Sequence, residues 1–180
     1  PQPRAVFELD TTRPNARFRR FARSCPWTLR IDHDFAAVID ACAAPRDYAD
    51  GTWITAAMRA AYLNLHRLGH AHCIAVFEGD ELVGGLYGLA IGRVFFGESM
   101  YSRRTNASKL AFHALAATLH DAGFVWLDGQ VESGHLARLG AQFLDRNHFI
   151  AGLERLCRQS PEKPHWAADF GCKTASELAF

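Results

Sequence analysis

Residues 70–91, HAHCIAVFEGDELVGGLYGLAI, decide the fold of this chain. The two apolar halves, His70–Phe77 and Leu82–Ile91, have the length and composition of β-strands. The polar residues 78–81 between them include a glycine, which supplies the unusual backbone angles of a tight turn. A further apolar run follows at Arg93–Gly97. The sequence therefore predicts a hairpin and a third strand as the centre of a sheet.

The segments on either side of this hairpin are mostly helical in pattern. Apolar residues recur at helical spacing, with capping residues before them and glycine after them. Residues 1–14 are expected to be extended, and the tail after Ser160 is expected to be irregular. We predict strands at Thr28–Ile31 and Phe124–Asp128, and helices at Arg17–Arg23, Asp34–Cys42, Thr55–Leu68, Asn106–Asp121, His135–Leu139 and Asp145–Leu156.

This order of elements predicts an α+β (mixed α/β) fold, with a mixed sheet flanked by helices on both sides. No linker divides the chain, so residues 1–180 are expected to form a single domain. The composition, 49% hydrophobic and 22% charged with a net charge of +1, excludes a disordered chain. No apolar run is long enough to span a membrane, so no membrane partner is expected. Five scattered cysteines without a CxxC pair argue against a disulfide framework and favour a reducing cytoplasm.

The positive charge of the chain is concentrated near its start. Six arginines and no acidic residue lie between Arg13 and Arg30, whereas the rest of the chain carries an excess of acid. Such a segment is typical of a contact with a polyanion, although a solvated helix face has the same pattern.

Two carboxylates stand out because each ends an apolar strand. Glu98 lies between Gly97 and Ser99, and Asp128 precedes Gly129. Carboxylates at strand ends commonly line a cleft, and two that face one pocket would attract a cation. The alternative is that each caps a loop or pairs with an arginine.

Other candidate sites are weaker. His66 and His70 are four residues apart, but Gly69 breaks the helix between them and no further ligand is near, so no metal is predicted. The glycines at 84–88 lie inside a strand pattern, where they indicate a bulge or a close approach rather than a phosphate loop. Cys73 is expected to point into the core, which makes covalent catalysis improbable.

Several longer motifs resemble those of the leucyl/phenylalanyl-tRNA–protein transferases. They follow one another in the order of that family from Pro1 to about Phe149. The matching stretches are PQPRAVF at 1–7, DGTWIT at 50–55, LGHAHCIAVF at 68–77, LVGGLYG at 82–88, FGESMYSR at 96–103, NASK at 106–109, DGQ at 128–130 and HLARLGA at 135–141.

The resemblance implies a function. Such enzymes transfer leucine or phenylalanine from its charged tRNA to an N-terminal Lys or Arg of a protein, which marks that protein for degradation through the N-degron pathway. The partners would be leucyl- or phenylalanyl-tRNA and proteins with those N-termini. The fold would be a sheet like that of GCN5-related acetyltransferases. No cofactor is implied, because the aminoacyl ester is already activated.

The resemblance also assigns residues. Catalysis would rest on Asp128, Gln130 and Glu98, with Asp128 hydrogen-bonded behind Gln130. The basic N-terminal segment, residues 1–30, would contact tRNA through Arg19, Arg20 and Arg23. The substrate-binding residues would be Leu86, Phe95, Met100, Leu119 and Leu127, which would hold the Leu or Phe side chain, together with Trp53, Ser133 and His135.

The sequence departs from the family pattern in three respects. Gly129 replaces the cysteine of a DCQ motif, and Ser133 stands where a polar contact to the terminal adenosine is expected. The N-terminal segment that usually precedes the PQPRAVF motif, and that contributes to substrate binding in the family, is not among residues 1–180. Alternatives are therefore an RNA-binding or otherwise transfer-deficient member of the same fold, and a related coenzyme-A acyltransferase. The loop at 101–106 has no glycine for a pyrophosphate, which weighs against the second.

Overall fold

A computed structural model describes residues 3–44 and 52–178 of the chain. Residues 50 and 51 of the DGTWIT motif, the polar loop expected over residues 46–51, and the first two residues of the basic N-terminal segment lie outside the described residues. The others form an eight-stranded mixed sheet with helices on both faces, which confirms the predicted fold class. Within the described ranges, no helix is both long and apolar enough to cross a bilayer.

The strands come from all regions of the chain. Their bounds are Arg4–Glu8 (β1), Thr28–Ile31 (β2), Ala71–Glu78 (β3), Glu81–Ile91 (β4), Val94–Ser102 (β5), Trp126–Val131 (β6), Gln142–Leu144 (β7) and Cys172–Thr174 (β8). Across the sheet they are ordered β7-β1-β6-β5-β4-β3-β2-β8. The predicted hairpin is β3–β4, with Ala71 opposite Leu89 and Glu78 opposite Glu81. Gly79 has a φ of 60° in its turn, as the tight connection requires.

Six of the seven helices in the described ranges follow the predicted positions closely, and the last lies in the tail, where no helix was predicted. They span Ala16–Ser24 (α1), Phe35–Ala43 (α2), Ala56–Arg67 (α3), Ala107–Asp121 (α4), Gly134–Leu139 (α5), Arg146–Leu156 (α6) and Trp166–Phe170 (α7). Asp34 and Thr55 cap α2 and α3 by accepting hydrogen bonds from the N–H groups of Ala37 and Met58. These caps satisfy backbone donors that the helix itself leaves open.

Neighbouring strand residues contact different helix layers. Leu86 of β4 packs in the cluster formed with α1 and α4, whereas the next residue, Tyr87, packs with α2 and α3. In β1, Phe7 belongs to the α4 side and Val6 contacts the cluster of α6. Gly84 allows α4 to approach, since a Cβ atom there would lie 2.5 Å from Ala107 Cβ. The strand glycine thus marks a close approach of helix and sheet.

The pairing of β5 with β6 is the one parallel pairing among the described strands. The long helix α4 makes the crossover between them, as a parallel connection requires. Their pairing extends from Val94–Trp126 to Phe96–Asp128 and stops there, although both strands continue. Shortly beyond that point, β5 has a bulge in its pairing with β4, and β6 has one in its pairing with β1. These bulges leave Glu98 of β5 and Gly129 of β6 unpaired. The sheet opens where these strands part.

Three expectations about the elements were wrong. The predicted third strand continues past Gly97 to Ser102, and the strand predicted to end at Asp128 continues to Val131. The tail after Ser160 is ordered, with the buried Trp166 in α7 and with β8 paired to β2. A five-residue helix and a three-residue strand are too short to show a period, so only their tertiary partners stabilise them.

Candidate active site

An apolar cavity of about 300 Å³ lies at the opening between β5 and β6. We call it the acyl cavity. Four residues assigned to the aminoacyl side chain line it, namely Leu86, Phe95, Met100 and Leu127. They come from β4, β5 and β6, so only the folded sheet brings them together. Trp53, Ser133 and His135, the other substrate-binding candidates, also line this cavity.

Leu119, the fifth residue assigned to the pocket, is not among the residues that line the cavity. It is fully buried in the core near the C-terminal end of α4. The helix instead contributes Phe112, seven residues earlier. Seven residues are two turns, or about 10 Å along the same helix face, so the helical pattern could not distinguish the two positions.

Sequence reasoning also missed other lining residues, among them Phe7 and Leu136. Phe7 reaches the cavity from β1, where its ring lies 4.6 Å from that of Phe112, and Leu136 reaches it from α5. Phe7 lies within the PQPRAVF motif, but nothing local in that motif indicates a pocket. Its place depends on the pairing of β1 with β6.

Gln130 does not itself line the acyl cavity, but Gly129 and Val131 on either side of it do. Its backbone conformation is strained. Its φ is 67°, a region that residues other than glycine rarely adopt. The bulge at Gly129 creates this conformation and turns the side chain across the gap between the strands. There Gln130 Nε2 donates hydrogen bonds to Gly97 O at 2.9 Å and to Glu98 Oε2 at 3.1 Å. Such strain is typical of functional positions.

Glu98 is held from two sides. Besides the amide of Gln130, its carboxylate has the hydroxyl of Tyr62 of α3 as a neighbour. Burial, and then the charge of Glu98, raise the pKa of the Tyr62 hydroxyl, which therefore stays a donor. Glu98 lines the acyl cavity and is only half-buried, so its carboxylate is accessible to a cationic group there.

Asp128 pairs with an arginine, which is the alternative that the sequence left open for this carboxylate. It is fully buried, and its two oxygens accept hydrogen bonds from Arg4, Nε at 2.9 Å and Nη2 at 2.6 Å. Its Oδ1 also accepts the backbone N–H of Gln130 at 2.9 Å. Asp128 therefore lies behind Gln130, but it contacts the backbone rather than the side-chain amide. The carboxylate anchors the bulge and is shielded by Arg4, so it is not free to face a substrate cation.

The three arginines assigned to tRNA lie on α1, away from the acyl cavity. Arg20 and Arg23 are exposed, and Arg19 is half-buried. Phe18 and Ala22 form the buried side of the same helix. We call Arg19, Arg20 and Arg23 the α1 arginine face. The charged surface of α1 is thus separate from the acyl cavity.

Metal and thiol chemistry find no support in the described residues. Nowhere in 3–44 and 52–178 do three His, Cys, Asp or Glu side chains come together as a metal site. His66 stacks on Phe35, with ring centroids 4.4 Å apart. Burial raises the pKa of the Cys73 thiol, which disfavours the nucleophilic thiolate.

The sequence of this chain is similar to the sequences of known proteins. A sequence model of the leucyl/phenylalanyl-tRNA protein transferase family matches residues 6–154. Leucyl/phenylalanyl-tRNA–protein transferases of Xanthomonas euvesicatoria and Xanthomonas campestris are each 52% identical over 99% of this chain, which covers 72% of their length. The corresponding protein of Xylella fastidiosa is 50% identical, and the chain covers 74% of it.

A solved structure is similar in fold alone. It is that of a functionally unknown conserved protein from Staphylococcus epidermidis, with a TM-score of 0.51 and 12% identity over 79% of this chain and 57% of that chain. The family match and the sequence identity carry the assignment. The chain belongs to the leucyl/phenylalanyl-tRNA protein transferase family and is an aminoacyltransferase.

Proposed function

We propose that this chain transfers leucine or phenylalanine from its charged tRNA to an N-terminal Lys or Arg of a protein, and so marks that protein for degradation in the cytoplasm. The observation that carries the proposal is the hydrogen bond between Gln130 and Glu98, because Glu98 lines a largely apolar cavity. Gln130 itself lies between two lining residues, Gly129 and Val131. The cavity would take the aminoacyl side chain, and the polar pair would meet the reacting amine.

The reaction requires little from the protein. The neutral α-amine of the acceptor attacks the ester carbonyl, a C–N bond forms, and the ribose oxygen leaves and takes up the proton that the amine loses. Holding the two substrates in contact supplies much of the acceleration. No resident cofactor is needed, because the ester bond already stores the required free energy.

Gln130 would orient the attacking amine. Its Nε2 is occupied by Gly97 and Glu98, which leaves Oε1 as the acceptor for an amine N–H. An amide is a weak base, so the proton more plausibly passes to the leaving ribose oxygen through a neighbouring substrate hydroxyl. Asp128 would act by fixing the backbone of Gln130, with Arg4 fixing Asp128.

Glu98 would supply the negative charge of the site. Because Arg4 neutralises Asp128, Glu98 is the carboxylate of this pair that remains available to a cation. It would bind the donor α-ammonium group or the cationic end of the acceptor. Either contact would favour substrates that carry a positive charge near the reacting atoms.

The acyl cavity would select the donor. Burial of a Leu or Phe side chain contributes roughly 1.5–3 kcal/mol, whereas an Asp side chain would lose hydration without gaining a partner. We therefore expect transfer of Leu and Phe, weaker transfer of Met, and none of Ala or Asp. The α1 arginine face would bind tRNA phosphates without reading sequence.

The test is transfer of labelled leucine from charged tRNA to peptides that differ only in their first residue. Label should enter peptides that start with Arg or Lys, and not one that starts with Ala. Equal labelling of all three peptides would contradict the acceptor assignment. Binding of the charged tRNA without transfer to any peptide would instead indicate a transfer-deficient member of the family.

A further inference from the structure

A second cleft, with a volume of about 540 Å³, lies beside the acyl cavity. Its walls come from three separate regions of the chain: the residues before and in α1, the N-terminal turn of α4, and α5. We call it the basic cleft. Its cationic lining residues are Arg13, Arg17, Lys109 and Arg138.

The charged residues that line the basic cleft are all cationic. The lining contains no Asp or Glu. Arg17, Lys109 and Arg138 are exposed, and no carboxylate of the described residues lies within 4.0 Å of their charged groups. Arg13 is held in place, because its Nη1 donates to Leu9 O and to Thr12 O, both at 2.9 Å. Cations gathered without acid partners are typical of a site for an anion.

The positive charge of the cleft also affects the pKa values of two histidines that line it. Burial lowers the pKa of His113 to about 4, and the charge of Lys109 adds to that effect. Burial, then Lys109 and Arg138, lower the pKa of His135 as well. Lys109 from α4 and Arg138 from α5 therefore act on one point between them. The N-terminal end of α4 adds its partial positive charge on the same side.

The basic cleft adjoins the acyl cavity at His135, which lines both. In α5, Leu136 faces the cavity and Ala137 with Arg138 faces the cleft. A ligand with an apolar end and an anionic backbone could therefore occupy both at once. Aminoacylated RNA is such a ligand, because the acyl group is attached to the terminal ribose and the phosphates follow directly.

We propose that the basic cleft binds the phosphodiester backbone of the last nucleotides of the donor RNA, through Arg17, Lys109 and Arg138. This inference rests on the proposed function and adds a second contact to it. The α1 arginine face would bind the tRNA elsewhere, whereas the cleft would hold the single-stranded end that enters the active site. A charged groove that follows the backbone is a common means of binding single-stranded RNA.

The experiment compares two minimal donors, phenylalanyl-adenosine, which has no phosphate, and phenylalanyl-CCA trinucleotide, which has phosphates but no stem. In the variant Arg17→Gln/Lys109→Gln/Arg138→Gln, KM for the trinucleotide donor should rise about tenfold or more, since three charge-assisted contacts with phosphates are lost. KM for phenylalanyl-adenosine should not change. The matched control is Arg155→Gln/Arg158→Gln, which removes exposed charge from α6 and the segment just after it.

A measurement on the unaltered chain does not depend on any variant. Log KM for the trinucleotide should increase with log salt by roughly 0.7 per phosphate contact, and phenylalanyl-adenosine should show little dependence. An unchanged KM for the trinucleotide in the triple variant, or equal salt dependence of the two donors, would overturn the inference. A raised KM for the acceptor peptide alone would assign the cleft to acidic peptides and would also overturn it. If the unaltered chain used neither these donors nor charged tRNA, the proposed function itself would fail.

Discussion

The acyl cavity and the α1 arginine face are built on opposite principles. The cavity takes its residues from strands and helices distant in sequence and depends on two bulges that leave Glu98 and Gly129 unpaired. The arginine face belongs to a single nine-residue helix and depends only on exposure. The first should therefore be sensitive to small geometric changes and the second mainly to charge and salt. The following experiments test that difference.

The largest effect should come from removing the amide of Gln130. We expect Gln130→Gly to lower kcat for transfer by about 10²–10⁴-fold, the range for groups that position or move a proton. Glycine adopts the positive φ of this position at no steric cost, so the fold and tRNA binding should be kept. Gln130→Ala should be equally inactive and about 1 kcal/mol less stable than Gln130→Gly, because alanine does not favour this positive φ. Transfer at a normal rate by either variant would refute the mechanism.

The second effect concerns the buried ion pair. Arg4→Ala leaves the carboxylate of Asp128 buried without its partner, which should lower the free energy of unfolding by about 3–5 kcal/mol. Urea unfolding measures this. The double variant Arg4→Met/Asp128→Leu should recover much of the stability, yet not the activity, because the bulge loses its anchor. Full activity of a stable double variant would show that Asp128 has no positioning role.

The third effect is a loss of stability in acid that originates at His113. The pKa of His113 is about 4 in the folded chain, below the ordinary value of 6.5. As the pH falls, the unfolded chain is therefore protonated at this histidine before the folded chain is. The contribution of this group is therefore complete above pH 6.5 and is lost as the pH falls from about 6.5 to about 4, by about 3 kcal/mol in total. Unfolding measured across this range should show a smaller loss in His113→Gln. The same pH dependence in both proteins would exclude this histidine as the cause.

The fourth effect is a change of donor preference. Met100 lines the acyl cavity, and Met100→Ala enlarges it. Competition between charged tRNAs for one Arg-peptide should then shift toward Phe or Trp by roughly 10–200-fold at most, the discrimination that a hydrophobic pocket can provide. Leu119→Ala is the matched comparison, since Leu119 lies in the core and outside the cavity. It should reduce stability without changing the preference.

The smallest effect per residue should come from the α1 arginine face. Replacing Arg19, Arg20 and Arg23 by Gln should weaken binding of leucyl- and phenylalanyl-tRNA equally. The slope of log affinity against log salt should flatten by about 0.9 for each lost contact to double-stranded RNA, if it behaves as B-DNA does. Stability should change by less than about 0.5 kcal/mol. An unchanged salt slope would mean that this face is only solvated.

Local signals in the sequence were strong enough for most elements. The β3–β4 hairpin follows from two apolar runs around Gly79, and α2 and α3 begin after the caps that their patterns predict, Asp34 and Thr55. Residues 142–144 and 172–174 gave no such signal, because strands of three residues are stable only when paired. The same reason explains why the ordered tail was missed.

In the candidate site too, local motifs identified some residues, whereas other contacts depend on the tertiary structure. The motifs at 96–103 and 128–130 directed attention to Glu98, Asp128 and Gln130, and the structure brings these residues together. The pairing of Asp128 with Arg4, 124 residues away, could not be inferred from either motif. Phe112 and Leu119 lie on one helix face, so only the packing of α4 shows which of them reaches the cavity.

The sequence by itself determined the family, the hairpin, the main helices and the types of residue available for chemistry, because each of these depends on local pattern and order along the chain. Only the tertiary structure decided how β5 and β6 part, where the acyl cavity opens and that Asp128 is neutralised by Arg4. It also joined Arg17, Lys109 and Arg138 in one cleft. These features depend on strand register and helix packing between distant segments, and no local sequence pattern encodes such contacts.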